Sequence, residues 1–360
     1  MFKNKKVLVA MSGGVDSSVA AALLVQQGYE VTGAFMKFWK PGQVSSQQSS
    51  AGDNICCSYE SYQNAKQVAR HLDIKLYTLN FEKDFHQEVV VEFINMHRLG
   101  TTPNPCVICN EKIKFGLLLE KIKSLEFDLV ATGHHARVEK DGGKVSLRKA
   151  KDVKKDQSYF LYRLTSEQLQ RVVFPIGDYT KLEVRALAHQ FNLPTADRRE
   201  SQEVCFVPDN NLERFLGKYL SREMIPGDIV TIAGEKIGEH LGLPAYTIGQ
   251  RRGIRIGGIG PFYVVSKDMA ANKLIVSKAE EDLESNKCRL TDVTWIEKPQ
   301  DFPLESEVKI RYLAPSVKAE IKPSEEDLEV NFRQPQRAIT PGQSVVFYQG
   351  DKVLGGGIIK

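Results

Sequence analysis

The sequence lacks the segments that would carry a protein into or across a membrane. No run of about 18 apolar residues occurs, so no transmembrane helix is predicted. The start, MFKNKKVLVAMSGG, has neither the longer apolar region nor the small-residue cleavage site of a signal peptide. Its apolar run from Val7 to Met11 instead predicts a buried first strand. We therefore expect a cytoplasmic protein without a membrane partner.

Strong charge and a dense set of cysteines are also lacking. Lys and Arg exceed Asp and Glu by only 4, which permits a nucleic-acid partner without indicating one. Six cysteines in 360 residues do not make a disulfide scaffold. In a reducing compartment such cysteines are catalytic, metal-binding or simply buried. The length suffices for two or three domains with a sizeable core.

The first part of the chain alternates strand and helix patterns, which predicts a parallel sheet covered on both faces. Ligands of such sheets bind at the carboxyl ends of the strands. Residues 40–54, rich in Ser, Gln and Gly, predict a flexible loop. The predicted strands are Lys6 to Met11, Glu30 to Met36, Lys75 to Asn80 and Phe127 to Thr132. The predicted helices are Ser17 to Gln27, Ser58 to Leu72, Lys83 to Arg98, a segment ending near Lys123, and Thr180 to Asn192, which starts with a capping box.

Beyond about residue 225 the pattern changes to Gly, Pro and alternating apolar residues, which predicts β-structure. No internal repeat is present. The predicted organisation is an α/β domain at residues 1–208, a small linking domain at 209–278 and a C-terminal β-barrel at 279–360.

The string AMSGGVDSS, Ala10 to Ser18, follows a predicted strand and opens a predicted helix. Its two glycines allow a tight turn and close approach of a ligand, while the N–H groups of the helix start attract an anion. The loop has neither the lysine of G-x-x-x-x-G-K-S/T nor the spacing of G-x-G-x-x-G. It is therefore either a phosphate loop of another type or an ordinary glycine-rich turn.

The string TPNPCVICNEKIKF, residues 102–115, places Cys106 and Cys109 three positions apart before a predicted helix. Such a pair can hold zinc, perform a dithiol cycle or expose one reactive thiolate. Cys56 and Cys57 could complete four thiolates around zinc, but adjacent cysteines seldom both serve one tetrahedral site, which favours simple burial. Cys205 could join the pair in a three-cysteine iron–sulfur site. The spacing leaves these alternatives open.

Several strings together resemble one known family. SGGVDSS resembles the pyrophosphate-binding loop of the N-type ATP pyrophosphatases, which cut ATP to AMP and pyrophosphate and adenylate an acceptor oxygen. With TPNPCVICN and ESQEVCFV (Glu200 to Val207), the chain resembles the tRNA-specific 2-thiouridylase family over essentially its whole length. The other matching strings are FMKFW, ATGHHA, KKDQSYFLY, YTIGQRRGI and ITPGQSVVFY.

The resemblance implies an ATP-dependent sulfurtransferase that converts the wobble uridine of tRNA to 2-thiouridine. Oxide is a poor leaving group, so adenylation must convert the 2-oxo oxygen into part of AMP before a persulfide sulfur attacks. Cys205 would carry the persulfide and Cys109 would be its partner, with Cys106 beside the target base. On spacing alone, either Cys106 or Cys109 could form the disulfide. The rivals are an amide-forming ligase of the same superfamily and a catalytically silent tRNA-binding protein.

The implied partners are the tRNA anticodon loop and a sulfur donor, either a cysteine desulfurase or a relay protein. Mg²⁺ would accompany the substrate ATP, and no tightly bound cofactor or metal is predicted. Asp16 would assist the magnesium or cap the helix, and Arg251, Arg252 and Arg255 form a basic strip or a solvated turn. The expected ATP-binding residues are Ala10, Met11, Ser12, Gly13, Gly14, Val15, Asp16, Ser17, Met36 and Gly133. The expected tRNA residues are Asn104, Pro105, Cys106, His134, Lys155, Asp156, Gln157, Arg311, Tyr312 and Gln343.

Overall fold

The structure is a computed structural model that describes residues 5–41, 58–198, 204–254, 256–257, 261–325 and 327–360. Residues 42–54 of the predicted loop therefore lie outside the described residues, as do Cys56, Cys57 and Arg255. No helix in the described ranges is long and apolar enough to cross a bilayer.

The first sheet has five parallel strands in the order β3-β2-β1-β4-β7. Its strands are β1 (Lys6–Ala10), β2 (Glu30–Lys37), β3 (Lys75–Asn80), β4 (Leu129–Thr132) and β7 (Val172–Val173); β5 (Ala136–Asp141) and β6 (Lys144–Lys149) form a hairpin between the last two. β1 is central and buried on both faces. Val7, Val9 and Met11 belong to one core cluster, and Leu8 and Ala10 to the other. A strand covered on both faces needs a continuous apolar run, which is what its sequence has.

The helices that cover this sheet include two with π-helical turns. The regular helices are α1 (Val15–Gln26), α2 (Tyr59–His71), α3 (Glu82–Phe85), α4 (Glu92–Arg98), α5 (Pro105–Ile108), α6 (Leu118–Ser124), α7 (Ser166–Gln170) and α8 (Lys181–Gln190). A π-helical segment, His86–Val91, joins α3 to α4, and a second, Cys109–Leu117, joins α5 to α6. The two π-helical segments pack against each other. Such segments are frequent at functional sites.

The second half of the chain consists mainly of β-strands. After α9 (Leu212–Tyr219), a four-stranded sheet has the order β10-β11-β8-β9, formed by β8 (Gly227–Thr231), β9 (Lys236–His240), β10 (Tyr263–Asp268) and β11 (Lys273–Ser277). Six further strands follow: β12 (Glu284–Trp295), β13 (Leu304–Lys309), β14 (Val317–Ser324), β15 (Asp327–Arg337), β16 (Ser344–Gln349) and β17 (Lys352–Ile359). They close into a barrel because β12 pairs with β17.

The β5–β6 hairpin joins this barrel from the first half of the chain. Lys352 and Val353 of β17 pair with Arg148 and Leu147 of β6, so the barrel sheet gains two strands. Arg148 also pairs with Asp351 at 2.6 Å. The predicted fold class is confirmed: a parallel α/β domain, a small linking domain and a C-terminal β-barrel. The sequence patterns did not predict that the hairpin and the barrel would share a sheet.

Candidate ATP and thiol site

The glycine loop lies between β1 and α1, at the carboxyl end of the central strand. The chain leaves β1 for β2 on one side, and β4 lies on the other side, so the loop sits at a topological switch point. Gly133 follows β4 and faces the start of α1. A Cβ at Gly133 would lie 2.5 Å from the backbone nitrogen of Ser17, so this contact admits only glycine.

Glycine occurs at the two loop positions, 13 and 14, for different physical reasons. Gly13 has a φ of +74°, and a Cβ there would lie 2.1 Å from the carbonyl oxygen of Ser61 in α2. Gly14 has no neighbour closer to its would-be Cβ than Ser12 Oγ at 3.5 Å. Gly13 is therefore required by the approach of α2. Gly14 borders open space, where a ligand can approach the backbone.

Serine hydroxyls hold the loop in shape. Ser17 Oγ accepts from the Ser12 N–H at 3.2 Å and lies 3.3 Å from Ser12 Oγ. Ser17 and Ser18 donate their hydroxyls to the Gly14 carbonyl at 3.1 Å and 2.8 Å. The side chains of Ala10, Met11 and Val15 are buried, so these three residues can offer a ligand mainly their backbone. Met36 in β2 is half-buried against the core cluster that contains Ala10.

Asp16 does not cap α1, so that alternative was wrong. The N-cap residue is Gly14, and α1 has no side-chain cap. Asp16 Oδ1 instead accepts from Lys181 Nζ at 2.6 Å and lies 3.4 Å from His135 Nε2. Burial alone would raise the pKa of Asp16, but His135 and the ammonium of Lys181 outweigh it and bring the pKa below its usual value. Asp16 is therefore a carboxylate at neutral pH.

Three residues beside the loop were missed by the sequence analysis. Lys181 is the first residue of α8, and its side chain is only 10% exposed. Arg198 donates to the Gly13 carbonyl at 2.5 Å and to Ser61 Oγ at 3.0 Å. His135 is buried; its Nε2 faces Asp16 Oδ1 at 3.4 Å without hydrogen-bond geometry, and its Nδ1 has no hydrogen-bond partner among the described residues. No sequence spacing links Lys181 or Arg198 to a loop more than 160 positions away.

The thiol helix, which we define as residues 105–124, begins with Pro105 at its first position. Asn104 is the N-cap, and its Oδ1 accepts from the Cys106 N–H at 3.2 Å. Cys106 is exposed in the first turn, whereas Cys109 is 7% exposed and begins the π-helical segment. Asn104 and Pro105 thus have structural roles here, and their contact with a target base stays a prediction.

Cys205 lies on the same core cluster as Cys109. It is half-buried between Val204 and Phe206, and this apolar setting was predicted. The cluster also contains Ala10 at the start of the glycine loop. In the described part of the chain, no group of three or more His, Cys, Asp or Glu side chains could hold a metal ion. This finding does not cover Cys56 and Cys57.

His134 is buried in the first domain, which does not support its predicted contact with RNA. Its Nδ1 lies 2.6 Å from Thr132 Oγ1, and its ring lies 5.8 Å from each of Phe115 and Phe174. Burial shifts the pKa of His134 well below its usual value, so the ring is neutral. The RNA contact stays a prediction.

The KDQ segment is largely occupied with the fold. Asp156 is 3% exposed and accepts from the N–H groups of Ala150 and Ser158 and from the Ser158 hydroxyl. Gln157 exchanges hydrogen bonds with the backbone of His135 at 2.9 Å and 2.7 Å. Lys155 is half-buried. The three predicted tRNA contacts stay predictions, and Asp156 is the most buried of the three residues.

The three predicted tRNA residues of the barrel all contact other residues of the protein. Arg311 donates to the Ala338 carbonyl and, at 3.2 Å, to Thr340 Oγ1; burial lowers the pKa of Arg311 below its usual value. The Tyr312 ring lies 4.5 Å from the ring of Phe160. Gln343 Nε2 donates to the Thr102 carbonyl at 2.7 Å.

The basic strip is described only in part. Arg251 and Arg252 are exposed, and the Arg251 guanidinium lies 6.0 Å from the Tyr263 ring centroid. A weak cation–π contact at the surface is compatible with a solvated turn as well as with RNA.

The parallel sheet with its loop at the switch point has the HUP fold of the N-type ATP pyrophosphatases. Residues 5–209 match a family described as tRNA methyl transferase HUP domain. Residues 213–278 match a tRNA methyl transferase PRC-barrel domain, and 285–359 match an aminomethyltransferase beta-barrel domain. The names of the related proteins are more specific than these domain descriptions. The chain belongs to the tRNA-specific 2-thiouridylase family, MnmA.

Two relatives show this membership. The tRNA-specific 2-thiouridylase MnmA of Symbiobacterium thermophilum is 47% identical, covering 99% of this chain and 92% of that protein. The protein of the same name from Geotalea uraniireducens is 45% identical, with coverages of 99% and 96%. Among solved structures, the U34-tRNA thiolase NcsA from Methanococcus maripaludis is 18% identical, with a TM-score of 0.35 and coverages of 61% and 66%. That likeness is too low to carry over an activity.

Proposed function

We propose that the protein is an ATP-dependent tRNA sulfurtransferase that converts the wobble uridine to 2-thiouridine. Family membership supports tRNA thiolation and the use of ATP. One structural observation carries the mechanism: Ala10 of the glycine loop, Cys109 and Cys205 all belong to, or pack against, a single core cluster. Adenylation followed by sulfur transfer requires an anion-binding loop and two thiols, and this cluster connects the three through packed side chains.

In the first step the uridine O2 attacks the α-phosphate of ATP. The α–β phosphoanhydride bond breaks, pyrophosphate leaves, and AMP is esterified to O2. The loop N–H groups at the start of α1 hold the phosphates, and the hydroxyl of Ser12, which is exposed, adds a donor. Asp16 would offer a carboxylate to the Mg²⁺ that accompanies ATP, because Mg²⁺ typically combines one or two carboxylates with substrate phosphates. Lys181 and Arg198 place positive charge beside the loop, where pyrophosphate develops its charge.

In the second step the outer sulfur of a Cys205 persulfide attacks C2 of the base, and AMP leaves with the oxygen. The Cys109 thiolate then attacks the inner sulfur of Cys205, which releases 2-thiouridine and forms a Cys109–Cys205 disulfide. A thiol reductant restores both cysteines, and a donor protein reloads Cys205. The exposed Cys106, in the first turn of the thiol helix, is proposed to border the target base.

The test is the formation of product. The protein is incubated with unmodified tRNA, Mg-ATP, a cysteine desulfurase with cysteine and a thiol reductant, and the digested tRNA is analysed for 2-thiouridine by mass spectrometry. The proposal expects product in the wild type and none in Cys205→Ala or Cys109→Ala. The matched control is Cys288→Ala, because Cys288 is buried in the barrel with its pKa raised by burial to about 12.

Each rival gives a different outcome. An active Cys205→Ser variant that forms an amide would favour a ligase. Binding of tRNA without release of pyrophosphate would indicate a silent RNA-binding protein.

A further inference from the structure

A turn of the barrel holds the segment that leads into the thiol helix. We define the barrel turn as residues Thr340–Gln343. The Thr102 N–H donates to the Pro341 carbonyl at 2.8 Å, and the Thr102 carbonyl accepts from Gln343 Nε2 at 2.7 Å. Both backbone polar groups of Thr102 are thus bonded to one turn, although Gln343 lies 241 positions further along the chain.

The contact is close-packed as well as hydrogen-bonded. Gly342 has a φ of +91°, and a Cβ there would lie 3.0 Å from the N, C and O atoms of Thr102. The Thr102 hydroxyl also lies 3.3 Å from the Thr247 hydroxyl in the small linking domain. Thr102 is therefore a point at which all three parts of the chain meet.

The segment between Thr102 and the thiol helix is stiff. Pro103 and Pro105 are both buried, and the ring of each fixes its φ. Asn104 lies between them, and its side chain is bonded to the Cys106 N–H at 3.2 Å. Two fixed φ angles leave few torsions over these three residues to absorb a displacement of Thr102, so much of it would reach the first turn of the thiol helix.

We infer that Gln343 is a positioning residue, which through Thr102 fixes the start of the thiol helix and so the placement of Cys106 and Cys109. Arg311 holds the barrel turn from the other side, through the Ala338 carbonyl and Thr340 Oγ1. The resemblance assigns Gln343 to tRNA contact, whereas the structure gives its amide a protein partner. The roles of Cys106 and Cys109 in sulfur transfer rest on the proposed function. The effect of Gln343 on the position of the thiol helix does not depend on that function.

The experiment measures Cys106 without tRNA or ATP. The wild type, Gln343→Met and Gln343→Glu are alkylated with iodoacetamide from pH 6 to 10, and Cys106 is followed by peptide mass spectrometry. Met keeps the approximate size but removes the donor, and Glu puts a carboxylate against the Thr102 carbonyl. The matched control is Gln336→Ala, because the Gln336 amide donates to the carbonyls of its sequence neighbours Gln334 and Pro335.

A loosened helix start stabilises the thiolate less. We therefore expect both Gln343 variants to shift the Cys106 profile to higher pH by roughly half a unit. The kcat for 2-thiouridine should fall about tenfold while the KM for tRNA stays within about twofold. The profile and kcat of Gln336→Ala should match those of the wild type.

Other outcomes overturn the inference. A raised KM for tRNA with an unchanged Cys106 profile would make Gln343 a tRNA contact, and no change in either would leave it without a role. If the wild type makes no 2-thiouridine, the proposed function fails, but the alkylation profile still decides the positioning. If Gln343→Glu does not fold, Gln343→Met with an unchanged melting temperature decides alone.

Discussion

The glycine loop and the start of the thiol helix are both turns that open a helix, yet they are held in opposite ways. Most hydrogen bonds within the glycine loop come from its own residues, since Ser17 and Ser18 bond the Gly14 carbonyl and Ser17 also bonds the Ser12 N–H. Remote residues contact this loop at its edges, as Arg198 does at the Gly13 carbonyl. The start of the thiol helix is held instead by hydrogen bonds from the barrel turn and the small linking domain to Thr102. The first geometry therefore depends mainly on a short stretch of sequence, whereas the second depends on contacts between remote parts of the chain. Disturbing each region separately should therefore give different defects.

The largest effect is expected from Gly13→Ala. Its Cβ would meet the Ser61 carbonyl at 2.1 Å in addition to the strain of a φ of +74°. We expect the free energy of unfolding to fall by more than about 3 kcal/mol and pyrophosphate release to be lost. Gly28→Ala is the control, because its φ is +83° with nothing within 4 Å. That variant should lose only about 1 kcal/mol in thermal or urea unfolding. Similar losses in both would show that the contact with α2 is unimportant.

The next prediction concerns how the free energy of unfolding depends on pH, through His97 at the junction with the small linking domain. His97 Nδ1 bonds the Pro244 carbonyl at 3.0 Å, and burial lowers the pKa of His97 to about 4. Between pH 6.5 and 4 the unfolded chain binds a proton that the folded chain does not, so stability falls as the pH falls. The wild type should lose up to about 3 kcal/mol more than His97→Gln over this range in urea unfolding.

The exposed His189 provides the control for this pH effect. Its side chain is 59% exposed beside Asp197, so His189→Gln should keep the acid sensitivity of the wild type. If His97→Gln lost as much stability in acid as the wild type, the buried neutral ring would not be the cause.

A smaller effect is expected from Lys181→Met at the glycine loop. The variant leaves the Asp16 carboxylate without its ammonium partner beside the ATP phosphates. The KM for ATP in pyrophosphate release should rise about tenfold, or about 1.4 kcal/mol, while alkylation of Cys106 is unchanged. Lys151→Met removes an exposed pair with Glu183 and should leave the KM near that of the wild type. Equal effects of the two variants would contradict a specific role for Lys181.

The smallest effect is expected from Thr247→Val, which removes the hydroxyl facing Thr102. Stability should fall by about 0.5–1 kcal/mol, and 2-thiouridine formation should fall two- to threefold. The KM for ATP should not change, because the glycine loop does not depend on this junction. Thr291→Val, on an exposed part of β12, is the control. A changed KM for ATP would show that the two regions are coupled.

Sequence patterns predicted the local elements well. The strand at Lys75–Asn80 has the predicted bounds, and the capping box of Thr180 and Glu183 is present at the start of α8. The glycine loop was found because a strand, two glycines and a helix follow one another within a few residues. The π-helical segments inside two predicted helices were not foreseen, because tertiary packing inserts such turns without a distinct residue pattern.

The missed features depend on contacts between distant parts of the chain. Sequence cannot tell what the adjacent His134 and His135, which are both buried, will contact; the structure places the first between aromatic rings and the second beside Asp16. Lys181 and Arg198 reach the glycine loop only after the chain has folded. The partner of Thr102 is equally remote. The roles proposed for the site residues therefore stay predictions until the variants are measured.

The hairpin shared with the barrel sets an order of events during synthesis. Leu147 of β6 is fully buried, and its neighbouring strand is β17. Arg148 meets Asp351 only after 203 further positions have been made. After the hairpin has left the ribosome, the edge of β6 that will pair with β17 stays exposed until β17 is made. Such an open edge can pair with a wrong strand. The nascent chain therefore has to protect this edge until β17 emerges, and truncation before β17 should yield aggregates rather than a free α/β domain.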